Sequence, residues 1–173
     1  MPYAVELDLD HASGALVRQL WRALASVGVT WMAESGATPH VSLAIWERIE
    51  PRTFDAELAL LAADTRPMPI TFDAIGTFPA GAVFLRPVAD PALIDLQRRC
   101  HARLSPFAGE PWDYYLPQSW VPHCTLAMEV PPERMHEALA VAGRAPLPIV
   151  GRLEAVGVVE FRPVRLLARH PLG

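Results

Sequence analysis

Long apolar runs are missing from this sequence: none of its 173 residues lies in a stretch approaching the roughly 18 apolar residues that a membrane helix needs. The opening residues, MPYAVELDLD, have no basic segment followed by an apolar one, so no secretory leader is expected. Cysteine is scarce. Cys100 and Cys124 are too few for a disulfide framework and read as free thiols of a reducing compartment, with the cytoplasm as the expected location. No low-complexity tract or charge block is present, and the 18 prolines are scattered between periodic segments instead of forming a linker. A Gly-rich phosphate loop, a nucleophile elbow and a CxxC pair are all absent. Excess positive charge is lacking too. A net charge of −4 and a pI near 5.8 argue against coating long nucleic acid with the whole surface. They leave room for a small nucleotide or an RNA end held by a few residues.

What is there describes a globular chain. Hydrophobic residues make up 51% and charged residues 20%, enough for a proper core in one domain or in two small lobes sharing one. Tyr3 to Asp10 alternates, with Tyr3, Val5, Leu7 and Leu9 on one face and Glu6, Asp8 and Asp10 on the other, which predicts a half-buried strand. Leu16, Leu20, Leu24 and Val27 recur at helical spacing before Gly28, predicting a helix from His11 to Val27. The same reading gives a strand over Pro39–Glu47, a helix over Thr53–Ala63, and a hairpin of Pro69–Phe78 and Ala82–Val88 turning at Pro79-Ala80-Gly81. It continues with a helix over Pro91–Leu104, an aromatic-rich loop, and a strand over Pro122–Val130. A helix over Pro132–Ala142 and two strands, Ile149–Phe161 and Val164–His170, complete it.

That order looks like a duplication. Phe72-Asp73-Ala74-Ile75-Gly76 matches Leu153-Glu154-Ala155-Val156-Gly157, and Pro39-His40-Val41-Ser42-Leu43 matches Pro122-His123-Cys124-Thr125-Leu126. The simplest architecture is an α+β bilobal fold: two antiparallel sheets flanked by helices around a central cleft, with lobes at about residues 1–88 and 89–173. In a strand, residues two apart share a face. His40 and Ser42 therefore point one way while Val41 and Leu43 go to the core; His123 and Thr125 point one way while Cys124 and Leu126 go to the core. Cys124 is accordingly a packing residue and not a nucleophile.

Two imidazoles and two hydroxyls converging on one cleft suit a phosphoryl group. In-line displacement at phosphorus needs a base for the nucleophile and an acid for the leaving oxygen, and histidine serves either role near neutral pH. Hydroxyls can donate to the non-bridging oxygens. The His-x-Ser and His-x-Thr patterns supply no metal-ligand set, so no metal or other cofactor is expected.

His40-Val41-Ser42-Leu43 and His123-Cys124-Thr125-Leu126, one in each half of a duplicated α+β chain, resemble the paired motifs of the two-histidine phosphoesterase superfamily. The closest branch is that of the 2′-5′ RNA ligase-like and cyclic phosphodiesterase proteins, whose first strand Tyr3-Ala4-Val5-Glu6-Leu7 also resembles. The resemblance implies metal-independent action on 2′,3′-cyclic phosphates or 2′-5′ linkages. It makes His40 and His123 acid and base and has Ser42 and Thr125 hold the phosphate. The expected partner is a small cyclic nucleotide or an RNA terminus, with no membrane and with the chain a monomer. The acidic balance favours the smaller substrate.

Parity nominates further residues. Phe84 alternates with Val83 and Leu85 and would stack on a base, and Arg86 would contact a phosphate. Counting from Gly76 and Gly157 makes Arg165 the counterpart of Arg86. Trp46 shares the parity of His40 and Ser42. Among Trp112, Tyr114, Tyr115 and Trp120, just before His123, Tyr115 is the chosen wall of the pocket; packing beneath the loop is the competing role for all four. Glu6, on the polar face of the first strand, either orients a histidine or is simply exposed. His11, His101, His136 and His170 lack the motif and are read as surface or structural residues. Two other classes of function compete with the enzyme: a module that binds RNA ends or cyclic nucleotides without turnover, and a structural protein whose histidines only bond across strands.

Overall fold

Asp10 ends the first strand and starts the first helix. Its carboxylate accepts from the backbone N–H groups of Ala12 (2.9 Å) and Ser13 (3.0 Å), donors that have no intrahelical partner. In the computed structural model, which describes residues 1–173, strand β1 (Tyr3–Leu9) thus runs directly into helix α1 (His11–Ala25). A short helix that the periodicity did not announce, α2 (Trp31–Glu34), leads to β2 (His40–Trp46) and α3 (Pro51–Ala63). The hairpin of β3 (Met68–Phe78) and β4 (Ala82–Pro87) follows, then α4 (Pro91–Leu104). Pro51 and Pro91 open their helices, where a missing N–H removes no hydrogen bond. After the aromatic loop come β5 (Cys124–Ala127), α5 (Met135–Ala142), β6 (Ile149–Glu160) and β7 (Arg165–Pro171). No helix is long and apolar enough to cross a membrane.

The class is α+β, as expected, and every strand pair is antiparallel. The two expected sheets are fused. One seven-stranded sheet runs β2-β1-β6-β3-β4-β5, with β7 also on β6. Strand β6 is shared: its residues 153–160 pair with β1, and its residues 149–153 pair with β3. One section is therefore β2-β1-β6-β7 and the other β6-β3-β4-β5. The lobes expected at residues 1–88 and 89–173 do not coincide with these sections, because β3 and β4 pair beside β5 while β1 and β2 pair beside β6. Setting α2 aside, the repeating unit is strand-helix-strand-helix-strand, running β1 to β3 and again β4 to β6. Each unit lends its third strand to the other, a swap that a linear comparison of halves does not reveal.

Helices cover one face of this sheet. Helix α1 buries Val17, Leu20, Trp21 and Leu24, and α4 buries Leu93, Leu96, Cys100 and Leu104. One contiguous apolar cluster joins both sections, from Val5, Leu7 and Val41 to Val83, Leu85 and Leu126, so neither section has a separate core. The edge strands β2 and β5 curl back to meet. His40, at the start of β2, lies beside Cys124, at the start of β5. Three carbonyls of these strands are capped by side chains: Trp120 Nε1 donates to Ser42 O (3.0 Å), Gln97 Nε2 to Leu43 O (3.2 Å) and Trp21 Nε1 to Thr125 O (2.9 Å). Capping satisfies buried backbone acceptors and blunts both edges without closing the sheet. The uncovered face is left as a trough.

Candidate active site

The two motifs fold alike because each ends in the same irregularity. In β2, Val5 of β1 stands opposite Ala44 but Glu6 stands opposite Ser42, leaving Leu43 as an extra residue. In β5, Val83 of β4 stands opposite Ala127 but Phe84 stands opposite Thr125, leaving Leu126 as the extra residue. A bulge turns two successive side chains toward one face. Leu43 with Ala44, and Leu126 with Ala127, all enter the main core. His40 and Ser42, and His123 and Thr125, lie before the bulges and face the trough.

Both imidazoles are held in one orientation. His40 Nδ1 lies 2.6 Å from Thr38 O, and His123 Nδ1 lies 2.7 Å from Val121 O. A carbonyl only accepts, so each ring carries its hydrogen on Nδ1 and turns Nε2 inward. The surroundings of the two Nε2 atoms differ. His40 Nε2 is 3.3 Å from Oε1 of Glu6, whose side chain is buried. Burial pushes the Glu6 carboxyl above the usual range; the charge of His40 pulls it back and that of Asp8 pushes it up again. His123 has no carboxylate. Phe78 meets its ring edge-on (centroids 5.0 Å), and the rings of Phe84 (5.4 Å) and Tyr115 (6.3 Å) lie tilted beside it. Burial lowers its pKa, the Val121 carbonyl opposes this, and the positive charge of His40 adds to the lowering. His123 is the ring biased toward neutrality.

The rest of the trough follows from the register. Asp8, next along β1, is engaged by Arg169 of β7 (2.5 Å) and accepts from Thr38 Oγ1 (3.2 Å). The phenol of Tyr115 lies beside Ser42; burial pushes it up to about 12, with help from the Glu6 charge and against the pull of Ser42, so it keeps its proton. Phe84 stacks on Phe78 (4.3 Å) and lies over Gly76, where an added Cβ would run into its ring. Gly76 is a glycine because that ring needs the space.

The model of the 2′-5′ RNA ligase superfamily matches residues 17–164. The chain belongs to the 2′-5′ RNA ligase superfamily. Solved structures agree on the fold at low identity. E. coli LigT complexed with 3′-AMP is 18% identical, with a TM-score of 0.62 over 99% of each chain. TT0787 of Thermus thermophilus is 19% identical, with a TM-score of 0.61 over 99% of this chain and 98% of that one. A structure described as a phosphoesterase is 17% identical, with a TM-score of 0.57 over 98% and 97%. No curated protein matches the sequence.

In this member of the 2′-5′ RNA ligase superfamily, the structure brings together His40, Ser42, His123, Thr125, Phe84 and Tyr115. It does not bring in Trp46, which is fully buried against Phe54 (5.5 Å) and His101 (5.4 Å). The Leu43 bulge reverses the parity that placed Trp46 beside Ser42; Ile45 takes the trough face instead, in a small cluster with Ala4 and Val159. Arg86 stays at the open rim, with a side chain 60% exposed and 4.0 Å from Asp73. Arg165 is not its counterpart. It binds Glu160 (2.6 Å) at the far end of β6, because β1 and not β7 takes the place of β4 in the internal symmetry. Of the loop aromatics, Tyr115 faces the site, Trp120 caps β2, Trp112 packs on Phe161 (5.7 Å), and Tyr114 is 82% exposed. Cys124 is buried and inert, its thiol pushed up to about 12 by burial. His101 packs under Trp46, and His170 binds Asp55 (2.7 Å), both away from the trough. Sequence reasoning missed Phe78, Trp21 and the Asp8–Arg169 pair. Phe78 was within reach, since it shares the parity of Gly76.

Proposed function

We propose that this chain is a metal-independent phosphoesterase that opens 2′,3′-cyclic phosphates of nucleotides or RNA ends by acid–base catalysis between His40 and His123. One observation carries the reading: two backbone-locked imidazoles turn Nε2 into one trough, each with a hydroxyl two residues along. His123 is the base. Its neutral Nε2 takes a proton from water as the water oxygen bonds to phosphorus. His40 is the acid, and its Nε2–H passes to the ribose oxygen as the P–O bond breaks. Each ring ends in the other's starting state, and solvent exchange resets the pair.

Ser42 and Thr125 donate to the non-bridging oxygens. The neutral Tyr115 phenol lies beside Ser42 and helps to place its hydroxyl. Tyr115 is thus a positioning residue. With an RNA hydroxyl in place of water, the reverse reaction joins ends through a 2′-5′ bond. With Arg169 taken up by Asp8 and no arginine beside Glu6, the trough offers a polyanion little positive charge. That supports a small cyclic phosphate, of the size of the 3′-AMP in the LigT structure.

The test is a panel of 2′,3′-cyclic mononucleotides, 2′-5′ dinucleotides and RNA ends with product analysis, with and without a chelator. Ring opening that is unaffected by chelator supports the proposal. Loss of activity in chelator, restored by a divalent ion, overturns its metal independence. Binding of an intact cyclic nucleotide through prolonged incubation would leave a capture module instead of an enzyme.

A further inference from the structure

A carboxylate beside the seat of a phosphate is electrostatically awkward, because two anions at van der Waals separation repel each other strongly in a dry site. Glu6 is in that position. Its side chain is 9% exposed, and its sole charged partner is the His40 ring at 3.3 Å. Asp8, two residues along, is neutralised by Arg169, but no arginine reaches Glu6. The Nδ1 hydrogen of His40 is committed to Thr38 O, so it cannot answer Glu6. A carboxylate oxygen and a bare ring nitrogen are both acceptors and would repel at this distance. One hydrogen on either Nε2 or Oε1 relieves that repulsion. It makes the pair neutral overall with the Nδ1 hydrogen in place, whether it is written on the ring or on the carboxyl.

We propose that Glu6 is a positioning residue that holds one proton on His40 Nε2, loading that ring as the acid and so fixing the direction of proton flow from His123 to His40. The inference rests on the acid–base reading above and deepens it. The counterpart of Glu6 in the second unit is Phe84, opposite Thr125 as Glu6 is opposite Ser42, so His123 has no equivalent store. The titratable groups around the pair do not compete for this proton near neutral pH. From β1 comes Asp8, paired with Arg169 of β7; from the loop after α4, the Tyr115 phenol, raised to about 12. From β5 comes the Cys124 thiol, also raised to about 12, and just before it His123, biased neutral.

The experiment compares the parent with Glu6→Gln, and with Glu6→Ala in case the amide makes a substitute bond. Ring ¹⁵N and carboxyl ¹³C spectra without substrate should show one proton on the parent's pair at neutral pH, as a second N–H on His40 or a protonated Glu6. Glu6→Gln should show a single N–H on His40. In the pH–rate profile of 2′,3′-cyclic nucleotide opening, the basic limb should move down by about one pH unit, a roughly tenfold fall in kcat on that limb with KM little changed. Acidification should restore part of the rate. An unprotonated pair in the parent, or the same basic limb in parent and both variants, overturns the inference. If the parent opens no cyclic phosphate, the acid–base reading fails, and the spectra alone decide whether Glu6 holds the proton.

Discussion

The two histidine half-sites share a backbone and differ in their neighbours. Each has the strand start, the bulge at the leucine, and Nδ1 tied to the carbonyl two residues back, at 2.6 and 2.7 Å. On the adjacent strand the first half-site offers the carboxylate of Glu6. The second offers the ring of Phe84, lying over Gly76 and flanked by Phe78. Duplication alone would have made two equal imidazoles. One adjacent position, acidic in one copy and aromatic in the other, is enough to give them unequal surroundings, and in the second the burial of His123 biases it toward neutrality. Backbone symmetry sets where the rings are, and side-chain asymmetry sets what surrounds each.

The largest expected effect separates the two roles directly. Replacing either ring, by His40→Ala or His123→Ala, should lower turnover by about 10²–10⁴-fold with the fold retained by circular dichroism. A substrate whose leaving group needs no proton should recover much of the loss in His40→Ala but little in His123→Ala. Equal recovery in both would abolish the proposed division. A smaller effect should come from Gly76→Ala. The added methyl would collide with the Phe84 ring and press that ring toward His123. Overpacking of this kind destabilises by about 1–3 kcal/mol. Phe84→Leu should recover the stability of Gly76→Ala in a double-mutant cycle by thermal denaturation, while Glu6→Gln should add independently.

The spacing between the half-sites rests on the two tryptophan caps, which cross in opposite senses. Trp21 of α1 reaches the carbonyl of Thr125, and Trp120, from the loop before β5, reaches that of Ser42. Trp120→Phe keeps most of the packing and removes one donor, leaving a buried carbonyl bare. Stability should fall by about 1–3 kcal/mol in denaturant titrations. Turnover should fall more than KM rises, because the hydroxyl and ring of β2 shift against those of β5.

How much of this was legible beforehand follows the range of the interactions involved. The Pro-His-x-[Ser/Thr]-Leu repeat and the parity of its residues are local, and they gave His40, Ser42, His123 and Thr125 their common face. Phe84 was found by the same counting, and Tyr115 by its place in the aromatic loop just before His123. Parity failed where one residue was inserted: beyond the Leu43 bulge Trp46 belongs to the core. A signal for that bulge was present in the sequence, since both motifs continue Leu-Ala, but alternation counting treats those residues as ordinary strand positions. The third-strand swap was not legible, because strand pairing between distant segments leaves no local trace. It misplaced the lobe boundary and made Arg165 look like a partner of Arg86. The role of Glu6 was open for the same reason: only pairing β1 with β2 brings it to His40.

The smallest predicted effect tests the asymmetry without substrate. Burial holds the folded-state pKa of His123 below its unfolded value, so the unfolded chain binds more protons wherever that ring begins to protonate. Its contribution is therefore fully present above the ordinary histidine range and is lost as pH falls through it. The slope is bounded at about 1.4 kcal/mol per pH unit for one group. Glu6 leans the other way: its raised carboxyl releases its proton later in the folded chain, so that contribution weakens as pH rises through the carboxylate range. Denaturation midpoints followed from mildly acidic to neutral pH should rise less steeply in His123→Gln than in the parent. In Glu6→Gln the same curve, extended into the carboxylate range, should lose its downward component. Opposite changes in the two variants are what unequal half-sites require; parallel changes would mean that the carboxylate and the aromatic ring leave the two imidazoles electrostatically alike.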